Sequence, residues 1–518
     1  MYATFLQTVT LGKMLRPAIF GAAAIVLSIH WSAPLTAQEA DGDFEGEKTW
    51  TDKAGKTHDI KPESPKDNKT RQIINKLRNE GKFSADADEE IFENWAANKV
   101  RPLTWKENIT TLPAVRKELK KQLIQFGKSP VQDLHNRLNT LALEICSAVA
   151  KDPRYPRAVR INCTLMLADL DERENNAGAS QEAVVMPGAT GALVDMVADV
   201  KQPAFIRLEA LIALMRHVKL GMAQPQQAKA VEALMTTMQT PISEGKDIQG
   251  QAWIRLRASS LLLSMIDAKM PVEQPAFASA LGTLIADEKL PSWTRAALAG
   301  DLGTLDGKSL PADKAGSTVR SLAALMLTLS QSSPFVPEEP ADEEAAADDS
   351  KKDADKKSTE KKDPKKDGKG AEAEKSEEEA VAASEEISPA AQRLLSEQMM
   401  WQLAKIRRAL YGKDAAGGKD GGLDSLHGLH VVANDTEKAN ITKIVKHIDS
   451  VVKSLAEVPE GLQKLADTLR SANEDLEDLV GAPAAEQATA QAPKGGSPRS
   501  GPPAGNAPAE ASAVKNGQ

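Results

Sequence analysis

Aromatic residues are scarce in this chain of 518 residues, at 4% of the sequence, and cysteine occurs only twice. A composition rich in Ala, Leu, Lys and Glu and poor in aromatics favours helices. Positive charge is not in excess either. The formal net charge is −8, so the composition provides no general attraction to nucleic-acid phosphates. The sequence therefore predicts an all-α protein that does not bind nucleic acid.

Signatures of catalysis are also missing. The chain contains no Gly-x-Ser-x-Gly elbow, no CxxC pair and no phosphate-binding loop. The most arranged histidines are His427 and His430 in "DSLHGLH", which could share a zinc ion on a helix. Structural zinc needs four ligands, and no further Cys or His stands at useful spacing. We expect no cofactor and a non-enzymatic protein, with a metal-dependent module or enzyme using His427 and His430 as the alternative.

The chain has only one long apolar run, at residues 17–31. Lys13 and Arg16 precede it, and the small-residue stretch that ends at Ala37 follows it, which is the order of a secretory signal. The run is shorter than the about 20 residues that span a membrane. We predict that residues 1–37 are a signal peptide and that the protein is periplasmic or extracellular. The alternative is an uncleaved membrane anchor at residues 17–31, which would make it an envelope-organising protein.

One irregular phrase occurs four times in the middle of the chain. In each copy an aspartate stands eight residues before an arginine, and three copies have a proline four residues before that arginine. The pairs are Asp152–Arg160, Asp199–Arg207, Asp247–Arg255 and Asp287–Arg295, and the prolines are Pro156, Pro203 and Pro291. Apolar residues around each arginine fall on one helical face, and proline suits a helix start. An amphipathic stretch also precedes each copy, so each copy predicts a helix, a short turn and a second helix.

Two-helix units of 40–48 residues are typical of an α-solenoid. The pattern resembles the HEAT-repeat family over residues ~130–305, with an extension to about residue 412. This resemblance implies that the four aspartates and four arginines form an ion-pair ladder that sets the register between units. A fifth copy would be split, with its first helix at residues 316–331 and its second helix marked by Glu385, Pro389 and Arg393.

The repeat places the two cysteines at one height of the first helix pair. Cys146 lies eight residues before the turn centre near residue 154, and Cys163 lies nine residues after it. A disulfide is geometrically feasible if both side chains face the seam between the helices. Two small buried thiols are the alternative.

The remaining segments divide by composition. Residues 38–66, the charged insertion at 332–387 and the tail at 482–518 predict disorder. Residues 67–128 predict helices that cap the repeats of residues 129–331. Residues 388–481 predict a helical bundle with a hairpin whose apolar seam has heptad-like spacing, and residues 388–412 can also serve as the second helix of the fifth repeat. Homo-oligomers through residues 437–480 are the alternative to packing of that seam within the chain.

Partner contacts are expected on the second helices, because the curved face of a solenoid holds proteins or extended ligands. Arg157, Arg216 and Arg257 are the candidates, since they are arginines of the second helices outside the ladder. The sequence thus predicts an exported, non-enzymatic repeat scaffold that binds another protein or an extended ligand.

Overall fold

The computed structural model describes residues 42–51, 55–60, 68–83, 85–127, 132–175, 180–242, 247–335, 388–412, 428–458 and 460–481. Within these residues the fold is all-α, as the sequence predicts, apart from two small sheets of two strands each. The predicted signal peptide, the charged residues 336–387, His427 and the tail at 482–518 lie outside the described residues.

The N-terminal region combines one hairpin with three helices. Strands β1 (Thr49–Thr51) and β2 (Thr57–Asp59) pair in antiparallel fashion. Helices α1 (Asn68–Glu80), α2 (Asp86–Val100) and α3 (Leu112–Phe126) follow, and two 3-10 turns at residues 101–104 and 106–108 join α2 to α3.

The expectation of disorder across residues 38–66 is wrong for residues 42–51 and 55–60, which are ordered. The Phe44 ring packs edge-on against Tyr155 with centroids 4.9 Å apart, and the Phe44 amide donates to the Arg154 carbonyl at 3.1 Å. The Trp105 indole N–H donates to the Glu47 carbonyl at 3.0 Å. These partners are distant in sequence, so local composition could not reveal the order.

Five helix pairs make up the middle of the molecule. The first two pairs are α4 (Gln132–Lys151) with α5 (Arg157–Ala168) and α6 (Pro187–Ala198) with α7 (Ala204–Leu220). The next two are α8 (Gln224–Gln239) with α9 (Ile248–Asp267) and α10 (Gln274–Ala286) with α11 (Ser292–Leu302). The fifth pair is α12 (Ala312–Gln331) with α13 (Pro389–Tyr411). The short strands β3 (Asp171–Arg173) and β4 (Val184–Val185) form a hairpin between α5 and α6.

The helix starts follow the signals in the sequence. Pro156, Pro203 and Pro291 each directly precede the first residue of a second helix. Where proline is missing, the Asp247 carboxylate caps α9 by accepting the Gly250 amide N–H at 2.9 Å. Ser388 caps α13 in the same manner, accepting from the Ala391 amide at 3.3 Å.

The pairs pack side by side in chain order. The second helices α5, α7, α9, α11 and α13 each contact the next, and so do the first helices α4, α6, α8, α10 and α12. The leucine seven residues after each repeated arginine is buried in this core, as its spacing predicts. These leucines are Leu167, Leu214, Leu262 and Leu302.

The C-terminal hairpin closes over the fifth pair. Helix α14 (Leu429–Val432) leads into α15 (Asp435–Leu455) and α16 (Leu462–Gly481), and α15 packs against α12 and α13. The apolar seam is buried within the single chain, at Ile441, Val445, Ile448, Leu455, Leu465, Leu469, Ala472 and Leu476. Of the helices described here, none combines the length and apolar character that a membrane crossing requires.

Helix α13 does not extend the repeat in the register that its sequence predicts. Gly300 of α11 lies against Lys405, and Gly303, which directly follows α11, lies against Arg408. This places Arg393 about two helical turns before the level of the repeated arginine. Arg393 is exposed accordingly. The fifth pair therefore continues the packing of the helices without the arginine of the motif.

Candidate functional site

The four repeated arginines are buried, each with at most 4% of its surface exposed. Three of them donate from Nε to a carbonyl at the C-terminal end of the preceding first helix. These bonds are Arg160 to Ala150 at 3.1 Å, Arg207 to Val197 at 3.0 Å and Arg295 to Ile285 at 2.7 Å. Arg255 donates instead to the carbonyls of Thr240 and Gln251. Each guanidinium thus satisfies carbonyls that a helix end or first turn presents.

The four aspartates order their own turns. Three of them accept the amide N–H two residues ahead, at 2.9 to 3.0 Å, and the fourth is the cap of α9. The three bonds are Asp152 with Arg154, Asp199 with Lys201 and Asp287 with Lys289. These main-chain hydrogen bonds hold the four turns, and the direct ion-pair ladder that the family resemblance implied stays a prediction. A longer-range attraction remains, since Asp287 favours the charged forms of both Arg255 and Arg295.

A dense ionic cluster surrounds Asp171 at the start of β3, a residue that is 1% exposed. Arg216 binds both carboxylate oxygens at 2.8 Å, and Lys120 reaches the carboxylate at 2.7 Å and Glu174 at 2.8 Å. Burial disfavours the charge of Asp171, but the hydrogen bonds from Arg216 and Lys120 outweigh it and lower the pKa. Arg216, one of the three expected partner contacts, is therefore engaged inside the protein.

Two further titratable side chains are enclosed by the helix pairs. The fully buried His217 ring has Nδ1 2.8 Å from the Thr190 hydroxyl and Nε2 3.3 Å from the Ala168 carbonyl, and burial lowers its pKa to about 4. Asp301, on α11, accepts a hydrogen bond from the Ser259 hydroxyl at 2.6 Å, and desolvation raises its pKa to about 6. Both groups have partners within the protein, which indicates structural roles.

The two cysteines meet where the sequence places them. Cys146 and Cys163 are fully buried and both are free thiols in the structure, so the disulfide is not formed there. A hydrogen bond between the two side chains, together with burial, raises the pKa of Cys163 well above its ordinary value. The Cys163 thiol is therefore not poised as a nucleophile.

The histidine motif yields one described residue. The His430 ring lies 5.6 Å from the Tyr411 ring, and burial lowers its pKa. Across the described ranges, no group of three or more His, Cys, Asp or Glu side chains is arranged to hold a metal ion.

The remaining two expected contacts, Arg157 at the start of α5 and Arg257 in the middle of α9, lie beside aromatic side chains. The Arg157 guanidinium lies 4.5 Å from the centroid of the Phe205 ring, across the contact from α5 to α7. Arg257 lies 5.9 Å from the Trp253 ring, and the Trp253 and Trp293 rings are 4.9 Å apart. We call these five residues, Arg157, Phe205, Trp253, Arg257 and Trp293, the aromatic–arginine row.

The row continues from α7 to α9 through a close contact of their first turns. A Cβ at Gly250 would lie 2.8 Å from the Cβ of Ala204, so glycine permits the two helix starts to approach. Phe205 directly follows Ala204, Trp253 lies three residues after Gly250, and both aromatic side chains are partly exposed. The row therefore spans four consecutive second helices.

The aromatic members of the row were not among the expected contacts, although the sequence contains their signal. Phe205, Trp253 and Trp293 each stand two residues before the repeated arginine. This position was not among the apolar positions assigned to one helical face, and its side chains are partly exposed, with Phe205 and Trp293 also packed against the core. The chain has few aromatic residues, and three of them stand at this one repeat position.

Comparison of the chain with family models, with curated proteins and with solved structures found no match.

Proposed function

We propose that this chain is an exported, non-enzymatic α-solenoid scaffold that binds another protein through the exposed face of its second helices. The succession of helix–helix contacts from α4 to α13 supports the solenoid, and the repeated phrase supports the likeness to HEAT repeats. The signal-like residues 1–37 support export to the periplasm or the extracellular space. The proposal rests above all on the aromatic–arginine row.

The chemistry of the row is that of binding hot spots. Trp and Arg are the residue types that most often dominate interface energies, since they offer a large contact area together with hydrogen-bond donors. Exposed apolar side chains also concentrate near the second helices: Val200, Ile212, Ile248, Leu394 and Trp401 are each between 42% and 52% exposed. A surface of this kind fits a protein partner better than a small molecule.

The experiment is affinity capture of the full chain from the envelope of the cell that makes it. The test variants are Trp253→Ala with Trp293→Ala, and Arg157→Glu with Arg257→Glu. Their controls are Trp50→Ala, a partly exposed tryptophan of the N-terminal hairpin, and Lys76→Glu with Lys229→Glu, which changes the charge equally at exposed positions of α1 and α8. We expect a partner that both controls retain and both row variants lose. Retention of every partner by the row variants would refute the proposal.

The captured protein also tests the predicted export and signal-peptide cleavage. Sequencing of the mature N-terminus should begin near residue 38. A chain that still carries residues 17–31 and fractionates with membranes would favour the anchored, envelope-organising alternative.

A further inference from the structure

The two cysteines occupy one layer of the first helix pair, at the level of the link made by its buried arginine. Cys163 stands three residues after Arg160 on α5. Cys146 stands on α4, four residues before Ala150, whose carbonyl accepts the hydrogen bond from Arg160. The same link between the two helices therefore places both cysteines.

Other pairs build this layer from apolar side chains. The corresponding positions of the second and fourth pairs, counted from their own arginine bonds, are fully buried. They are Leu193 with Ala210 and Leu281 with Leu298. Packing of the layer therefore needs no sulfur, yet the chain's only two cysteines stand together at the two facing positions of the first pair.

The two thiols are in contact across the seam between α4 and α5. A hydrogen bond joins their side chains, and both residues are fully buried. The helices are connected by the short turn of residues 152–156 and pack directly against each other. A disulfide between facing side chains of two packed helices can therefore form without any change in how the helices pair.

We propose that Cys146 and Cys163 form a disulfide when the chain folds in an oxidising medium, and that this bond links α4 covalently to α5 in the first helix pair. The predicted export would take the chain to such a medium, since disulfides persist outside the cytosol. Of the proposed function, this inference uses only the export and is independent of the binding surface.

The bond forms by thiol–disulfide exchange with an oxidant that is itself a disulfide, either a small molecule or a protein. The thiolate of one cysteine attacks the oxidant, which gives a mixed disulfide and releases one thiol. The thiolate of the second cysteine then attacks the mixed disulfide and releases the second thiol. The two protons that leave the cysteines are taken up by the two released thiols, and the oxidant gains the two electrons that the cysteines lose.

Burial determines when this exchange can take place. The attacking species is the thiolate, and the hydrogen bond from Cys146 together with burial raises the pKa of the Cys163 thiol well above its ordinary value. An oxidant also has no access to two side chains that are fully buried. Oxidation is therefore confined to the time before α4 and α5 pack, and the folded core then protects the state that has formed.

The first test counts free thiols. The purified full chain is unfolded in urea with a reductant and refolded in a mixture of reduced and oxidised glutathione. Its thiols are then alkylated under denaturing conditions and counted by mass spectrometry. We expect no alkylated cysteine and one peptide pair joined through Cys146 and Cys163. Two alkylated cysteines, or a bond between two chains, would overturn the proposal.

The same count applies to the chain isolated from its cell without reductant, which should also contain no free thiol. Two free thiols there would contradict the proposal even if refolding produces the bond. Sequencing of the mature N-terminus separates this result from a failure of export, and the captured partners report on the binding surface independently.

Melting of the oxidised and reduced chains measures what the bond contributes. It closes a loop of about 17 residues, so the oxidised chain should melt at least about 3 °C higher than the reduced chain. Cys163→Ala places there the residue that the second and third pairs have, Ala210 and Ala258, and should melt at one temperature with and without reductant. No difference for the unaltered chain, or an equal difference for the variant, would refute the link.

The rate of oxidation tests the protection by the core. A reduced chain that is already folded should be oxidised by the glutathione mixture at least about tenfold more slowly than the chain in urea. Equal rates would show that the thiols remain accessible after folding, against the proposal.

Discussion

The first four helix pairs and the fifth pair differ in what joins the second helix to the first. In the first four, a buried arginine of the second helix binds a carbonyl at the C-terminal end of the first helix. In the fifth, residues 332–388 separate the helices, Arg393 is exposed, and the helix is held by packing on α11 and α15. The buried arginine thus links the two helices of a pair that is joined by a short turn. The fifth pair, which has a long connection, lacks this link.

The largest expected effect comes from replacing a buried repeated arginine, and it tests the difference between the first four pairs and the fifth. Arg207→Met removes a donor from the buried Val197 carbonyl, and the shorter, apolar methionine side chain leaves a void where the guanidinium was. We expect a loss of about 2–4 kcal/mol in the free energy of unfolding. Arg393→Met, at the corresponding motif position of the fifth pair, should cost less than about 0.5 kcal/mol. Urea denaturation followed by circular dichroism measures both, and equal losses would remove the distinction.

Low pH should lower the stability of the second helix pair, because His217 becomes protonated. Its folded-state pKa of about 4 lies below its ordinary 6.5, so its contribution is complete above about pH 6.5 and is lost as pH falls towards 4. The loss should be on the order of 1–3 kcal/mol. His217→Gln should flatten the decline in melting temperature between pH 7 and 4.5. A decline that is equally steep in the variant would show that other groups cause it.

High pH should lower stability where the fourth pair meets the fifth, because Asp301 loses its proton. Its folded-state pKa of about 6 lies above the ordinary 3.8, so its contribution is complete below pH 3.8 and is lost as pH rises through 6. Asp301→Asn keeps the acceptor for Ser259 and avoids the buried charge. We expect this variant to be more stable than the unaltered chain by about 1–2 kcal/mol at pH 7.5. Melting curves at pH 5 and 7.5 check this, and a variant less stable at pH 7.5 would contradict the assignment.

The smallest expected effect concerns the turn aspartates. Asp199→Ala removes the acceptor for the Lys201 amide in an accessible turn, where water can replace it in part. The cost should be about 1 kcal/mol, smaller than that of Arg207→Met. Glu397→Ala, at an exposed position of α13 in the fifth pair, is the control and should change little. If Asp199→Ala loses as much free energy of unfolding as Arg207→Met, the result would favour a direct ion pair between the repeated aspartates and arginines.

Local signals predicted much of this fold, and long-range contacts account for what they missed. Pro156, Pro203 and Pro291 mark helix starts because proline needs no amide donor there. The ordered segment around Phe44 depends on Tyr155, which is distant in sequence. The Arg207 Nε donates to a main-chain carbonyl, and residue identity does not reveal a main-chain partner. The sequence did not show whether the Trp253 side chain lies in the core or at the surface, because the helical period alone does not show where the apolar face ends.

The most direct measurement of the central claim is photo-crosslinking in the cell that makes the protein. A photoreactive benzoylphenylalanine replaces Trp293 in the aromatic–arginine row or, as the control, Lys229 on α8. If the exposed face of the second helices is the binding surface, position 293 should give a discrete adduct with another protein and position 229 should give none. Adducts from position 229 alone, or from neither position, would contradict the account.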